Sequence, residues 1–210
     1  MKTKAVLLDA LGTLVELEPP WVHLADELGI DSDERLVAAV RAEMDYYKAH
    51  SHEGTDTEAL ADLRARCADV LSRELGRDIS VEQMMAAIRF RAYPDAGPAL
   101  STLRSRGLRL VCVSNWDISL PDVLARCGLM DAIEGVVSSA GVGARKPDPA
   151  IFEAALEVAG VQAPEALHVG DTPDEDVAGA RAARIRVLLL EREGGGDIAS
   201  LAEVAEHLVP

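Results

Sequence analysis

"KAVLLDALGT", residues 4–13, carries a short apolar run into a carboxylate, Asp9, and then a glycine, Gly12. Similar runs recur at residues 109–113 (RLVCV), 133–137 (IEGVV), 166–169 (ALHV) and 186–190 (RVLLL), with helical patterns between the later ones. Apolar runs without alternation are buried on both faces, as strands in a parallel sheet are. Strands alternating with helices from about residue 94 onward therefore predict an α/β fold, a parallel sheet with helices on both faces. Ligands of such sheets sit beyond the carboxyl ends of the strands. Asp9, Ser114 and the pair Gly170–Asp171 all stand at such ends.

Residues 16–93 interrupt this rhythm. Asp31 with Glu34, Thr55 with Glu58 and Ser80 with Gln83 read as capping boxes that open three amphipathic helices after a Pro19–Pro20 start, with no strand. The expected organisation is a core domain of residues 1–15 and 94–210 and an all-helical cap domain of residues 16–93. An insertion at that point lies above the end of the first strand, where a lid would sit. Gly194–Gly196 reads as a loop before a last short helix.

The bulk numbers narrow the partners. Against 36 acidic residues stand 21 basic ones, a net charge of -15, which repels polyanions. Neither nucleic acid nor a membrane surface is expected as a partner, while a small anion can still be caught by local donors. Asp9 ends the first apolar run too early for a secretory leader, and no stretch approaches the ~20 apolar residues of a membrane span. Three cysteines (67, 112 and 127) without metal-ligand spacing predict structural thiols in a cytoplasmic setting. No coiled-coil seam or apolar stripe sets an oligomeric state.

Four constellations carry chemistry, each beside a plainer structural reading. Asp9, followed by Gly12 and Thr13, is suited to nucleophilic attack or cation binding, or else caps the following turn. Ser114 and Asn115, the one asparagine in the chain, offer a hydroxyl and backbone N–H groups to an anion, or form an ordinary turn. Asp148 and Pro149 read as N-cap and first residue of a helix. Lys146, just ahead of that helix, opposes its dipole unless an anion lies between them. Thr172, Pro173 and Glu175 read as N-cap, first position and capping box, which leaves Asp171 and Asp176 unexplained. Together with Asp9 these two would repel one another unless a cation sat among them, and a hard ion such as Mg²⁺ suits such oxygens. The five histidines show no ligand spacing, and Trp116 reads as core.

Taken in order, Asp at the first strand, Ser-Asn at the second, then Lys-Pro, then Gly-Asp, the chain resembles the haloacid dehalogenase-like hydrolase superfamily along essentially its whole length. The resemblance implies a Rossmann-like core with a helical cap. It makes Asp9 the nucleophile of a covalent aspartyl intermediate, with Ser114 and the backbone at Asn115 on the phosphoryl oxygens and Gly12 and Thr13 beside them. Lys146 would neutralise the transferring group. Asp171 would hold Mg²⁺ with Asp9 and the backbone carbonyl of Leu11, and Asp176 would lie in or just behind that ligand set.

Leu11 departs from the pattern. Phosphatases of this superfamily usually have a second Asp there, which protonates the leaving oxygen and activates water. Losing such a group costs ~10²- to 10⁴-fold in rate. The dehalogenase branch also lacks that Asp, since halide leaves without a proton, but it does not keep the acidic fourth motif. The expected function is thus a Mg²⁺-dependent phosphatase of a small phosphorylated metabolite, slow on alkyl phosphates and less impaired on aryl or acyl phosphates. The alternatives are a 2-haloacid dehalogenase-type hydrolase and a weak or inactive binding protein of this fold. Tyr46, Tyr47, His50 and His52, near the end of the long helix, read either as specificity contacts or as surface residues. Arg184 stands where relatives often carry a glycine ending the helix.

Overall fold

The computed structural model describes residues 1–209. The chain opens with β1 (Ala5–Leu8) and then β2 (Val15–Leu17), which leads to α1 (Pro20–Leu28), α2 (Glu34–His50), α3 (Thr57–Leu75) and α4 (Val81–Ala87). β3 (Phe90–Ala92) returns to the core, where α5 (Ala96–Ser105), β4 (Arg109–Ser114), α6 (Leu120–Arg126), β5 (Gly135–Ser138), α7 (Ser139–Val142) and α8 (Pro149–Ala159) follow. β6 (Ala166–Gly170), a π-helical turn at Pro173–Val177, α9 (Ala178–Ala182), β7 (Arg186–Leu189) and a 3-10 turn at Leu201–Glu206 complete it.

The main sheet has the order β5-β4-β1-β6-β7, and each pairing in it is parallel. β1 is central, which explains why all four of its residues are buried. Successive side chains of a strand face opposite ways, and the two faces have separate cores. Val6, Leu8, Leu110, Cys112, Leu167 and Val169 pack against Leu100 and Leu103 of α5 and Leu120 and Leu124 of α6. Ala5, Leu7, Val111 and Val113 pack against Ile151, Phe152 and Ala155 of α8. Helices cover both faces, as the unbroken apolar runs predict.

Helices α1 to α4 share a third core built on Leu24, Leu36, Val40, Leu63, Leu71 and Met84. The inserted segment differs from expectation in three respects. α1 adds a helix to the three predicted, starting at Pro20, where a proline at the first position needs no N–H partner. β2 and β3 pair antiparallel, Val15 opposite Ala92 and Leu17 opposite Phe90, although no strand was expected after residue 16. These strands are three residues each, too short for a period to register. Two caps also move: Asp33, not Asp31, accepts from the backbone N–H of Leu36 at 2.8 Å, and Asp56, not Thr55, caps α3. In both cases the neighbouring acid sits in the extended conformation that a cap requires. The Ser80–Gln83 capping box is present as predicted.

Arg184 adopts φ 61°, the left-handed conformation that turns the next N–H, that of Ile185, back to the Ala180 carbonyl at 2.8 Å after α9. A side chain there costs ~1–2 kcal/mol relative to glycine. Gly194 and Gly195 both have positive φ, in the loop expected before the final turn. No helix among the described residues is long and apolar enough to cross a membrane.

Candidate active site

The ends of β1, β4 and β6 bring Asp9, Ser114 and Asp171 to one place, and the loops before α8 and α9 add Lys146 and Asp176. Asp9 remains on the sheet ladder through its N–H to the Val169 carbonyl, 2.9 Å. Its Oδ1 accepts from Ser114 Oγ at 2.9 Å and from Lys146 Nζ, while Oδ2 takes no hydrogen bond among the described residues. Lys146 also donates to Asp176 Oδ1 at 2.7 Å. The charge that answers Lys146 ahead of α8 is thus the protein's own, supplied by two carboxylates. Asp148 caps α8 as predicted, accepting from Ala150 N–H.

Asn115 has a task that its sequence position does not announce. Its side-chain oxygen accepts from the backbone N–H of Lys146 at 2.7 Å, and its amide donates to the Lys146 carbonyl at 3.1 Å and to Glu175 Oε2 at 3.0 Å. It therefore fixes the lysine loop against the end of β4. Glu175 is engaged here, and the capping box expected with Thr172 is absent. Thr172 makes no side-chain cap. Its backbone N–H is instead taken by Asp176 Oδ2 at 3.1 Å, within a π turn that brings Asp176 back under the loop.

Behind Asp176 lies His168 on β6, fully buried, with Nε2 2.8 Å from Asp176 Oδ1 and its ring edge-on to Phe152 at 5.0 Å. A histidine within the apolar run ALHV is the available signal for this partner, although it has no ligand spacing to another histidine.

The electrostatics follow from burial and crowding. Burial raises the Asp9 pKa. Lys146 opposes that rise, but Asp176 and Asp171 add to it, and the net shift is upward. Asp171 is raised by burial and by Asp176. Asp176 goes the other way despite burial, because Lys146 and the His168 hydrogen bond hold it well below the usual carboxylate range. Although Asp9 and Asp176 share one ammonium, Asp176 has the additional donors and stays ionised. For Lys146, burial is outweighed by the two carboxylates, and its pKa rises. Three acids against one lysine leave negative charge in surplus. Carboxylate oxygens of Asp9, Asp171 and Asp176 lie within 4.8 Å of one another, a donor set that fits a hard divalent cation. Among the described residues no hydrogen bond reaches Asp9 Oδ2 or Asp171 Oδ2, whereas both oxygens of Asp176 are already used.

The loop after Asp9 divides its residues between cavity and support. Leu11 is 42% exposed and opens onto the cavity above Asp9. Gly12 and Thr13 lie off the cavity wall. Gly12 has φ 85°, and a Cβ there would overlap the Asp171 carboxylate. Thr13 is buried with its hydroxyl unpartnered. Arg192 grips this loop from the far end of the chain, donating to the carbonyls of Gly12 at 3.3 Å and Thr13 at 2.7 Å. The guanidinium also pairs with Asp95 and lies 3.5 Å over the Tyr93 ring. Sequence reasoning missed it, since a contact across 180 residues leaves no local pattern.

A cavity of about 400 Å³ lies between these residues and helices α2 to α4. Of the four residues with two readings, specificity contact or surface, Tyr47 lines it and donates to buried Asp117 at 2.8 Å, tying the inserted helices to the core. Tyr46 stacks on His50 at 4.1 Å and accepts from Arg66, and His52 is exposed, all away from the cavity. Trp116 is buried, as expected for core, and also borders the cavity.

The family model for haloacid dehalogenase-like hydrolases matches residues 3–184. Among curated relatives, haloacid dehalogenase-like hydrolase domain-containing protein 3 of Danio rerio is 38% identical over 106 residues, 50% of this chain and 44% of that protein. Phosphoserine phosphatase of Thermus thermophilus is 37% identical over 123 residues, 57% and 48% respectively. The chain spans about half the length of these curated relatives. Among solved structures, a HAD phosphatase from Thermococcus onnurineus has 26% identity and a TM-score of 0.69, covering 98% of this chain and 97% of that one. A 2-haloacid dehalogenase from Pseudomonas syringae has 26% identity and a TM-score of 0.64, covering 97% of both chains.

Proposed function

The chain belongs to the haloacid dehalogenase-like hydrolase family, and from that premise we propose that it is a Mg²⁺-dependent phosphatase of a small phosphorylated metabolite. The observation that carries this reading is the carboxylate cluster of Asp9, Asp171 and Asp176 around a single lysine. A haloacid dehalogenase would have no use for the surplus negative charge, whereas a phosphatase that holds Mg²⁺ does. The phosphatases among the relatives, including phosphoserine and phosphoglycolate phosphatases, support the same choice.

In this reading Asp9 attacks the phosphorus atom with a carboxylate oxygen, the P–O bond to the leaving group breaks, and an aspartyl-phosphate forms. Ser114 Oγ and the backbone at Asn115 hold phosphoryl oxygens. Lys146, kept protonated by Asp9 and Asp176, neutralises charge on the transferring group, which is the main demand of phosphoryl transfer. Asp9, Asp171 and the backbone carbonyl of Leu11 would hold the metal ion, which supplies further charge neutralisation when bound. Asp176 acts from behind by positioning Lys146 and the Thr172 backbone. Gly12 and Thr13 serve through the shape of the loop. Water then hydrolyses the acyl phosphate and returns Asp9 to its carboxylate form. Residues 16–93 act as the cap over this reaction and residues 1–15 and 94–210 as its catalytic core.

Leu11 can neither protonate the leaving oxygen nor activate that water. Turnover should therefore favour leaving groups that need no proton. Phosphate release from small phosphorylated metabolites in Mg²⁺, run beside halide release from 2-haloacids in EDTA, tests the assignment. Phosphate release is expected, and halide release without metal would refute it.

A further inference from the structure

The reading as a phosphatase leaves the leaving-group half of the cavity unexplained, and that half has a chemistry of its own. Leu11, Met44, Met84, Met85, Phe90 and Trp116 give it a mainly apolar wall. Three of the five methionines in the chain stand there, and methionine is the side chain that best adapts to a flexible apolar guest. Into this wall α2 brings Glu43, a carboxyl only 5% exposed.

Glu43 has little from the protein to answer it. Its neighbour is the Cys67 thiol, and burial raises its pKa. Among the described residues no lysine, arginine or histidine pairs with it. Of the cationic side chains around the cavity, Lys146 lies between Asp9 and Asp176, Lys48 lies nearest Glu175, at 3.8 Å, and the half-buried Arg64 and exposed Arg126 border the cavity without an ion pair to Glu43. Asp117, another buried acid on the cavity wall, is already satisfied by Tyr47 and by the Ser119 N–H at 2.6 Å. A buried carboxyl without a cation is costly unless a partner arrives. A cavity of this volume, with an apolar wall on one side and polar groups converging on it, has the composition of a small-molecule site.

We propose that the substrate is a phosphate monoester of an apolar amino alcohol, its chain lying on the methionine and aromatic wall and its ammonium group received by Glu43. This rests on the phosphatase reading and adds the substrate class.

The test is kcat/KM in Mg²⁺ for ω-aminoalkyl phosphates of increasing length, each against the n-alkyl phosphate of equal length, with 4-nitrophenyl phosphate as reference. Paired esters have similar leaving groups, so the effect of Leu11 cancels in the ratio. At the chain length that reaches Glu43 the amino ester should be favoured by about 10- to 100-fold, as a charge-assisted hydrogen bond provides. In Glu43→Gln that ratio should fall to about one. A ratio of one or less at every length, or a ratio unchanged in Glu43→Gln, would overturn the inference while nitrophenyl phosphate turnover left the phosphatase reading standing. No turnover of any ester would remove both.

Discussion

Leu11→Asp restores the group whose absence sets this chain apart, and the structure lets both its gain and its cost be worked out. Leu11 is 42% exposed and borders the cavity beside Asp9, so an aspartate there would reach solvent and a leaving oxygen without reshaping the core. Full burial of a leucine is worth ~1.5–3 kcal/mol, and with a little over half of that at stake the folding cost is ~1–2 kcal/mol. For a domain of this size that is a fall in Tm of about 2–8 °C. The catalytic gain is larger: a positioned acid or base contributes ~10²- to 10⁴-fold, or about 3–5 kcal/mol of barrier. The nearby acids would also raise the new carboxyl's pKa, which suits a proton donor. The assay is kcat/KM for glycerol phosphate and for 4-nitrophenyl phosphate, with and without the substitution, beside a thermal melt. The alkyl ester should gain at least about 100-fold and the aryl ester much less. A folded variant in which both esters gain equally, or neither gains, would refute the argument from leaving-group protonation.

Gly12→Ala pushes a methyl group into the Asp171 carboxylate; the Mg²⁺ concentration for half-maximal turnover should rise by about 10- to 100-fold with the circular dichroism spectrum retained, and an unchanged requirement would contradict the role given to Asp171. Tyr47→Phe removes a donor from buried Asp117 and should lower stability by ~1–3 kcal/mol, read as a lower Tm; an unaltered Tm would mean that this contact does not help hold the inserted helices to the core. Asp176→Asn should cost ~3–5 kcal/mol at neutral pH in EDTA, because Lys146 and His168 lose their shared carboxylate. The Asp176 pKa is lowered in the folded state, so its contribution is present above the unfolded value near 3.8 and fades as pH falls below it. The gap between wild type and variant in urea midpoint should therefore narrow from pH 7 to pH 3, and a constant gap would contradict the sign.

What the sequence discloses here depends on distance along the chain. The runs AVLL, RLVCV and ALHV announce strands because each is buried on both faces, and the topology then delivers Asp9, Ser114 and Asp171 to one edge. The capping box at Ser80 is legible for the same reason, since its partner lies three residues away. The β2–β3 ribbon is not, because its partners are some 75 residues apart and each strand is too short to show a period. The Arg192 grip on the loop after Asp9, the Asn115 clamp on Lys146 and the Tyr47–Asp117 contact are likewise made between distant segments. Glu175 illustrates the opposite error: its spacing from Thr172 fits a capping box, and a tertiary partner, Asn115, takes it instead.

The central claim is that Asp9 carries out metal-dependent phosphoryl transfer. Hydrolysis of 4-nitrophenyl phosphate should be measured with Mg²⁺ and with EDTA, for the wild-type chain and for Asp9→Asn. Turnover that requires Mg²⁺ and disappears in the folded variant is the predicted result. Turnover that survives either EDTA or the loss of the Asp9 carboxylate would contradict the account.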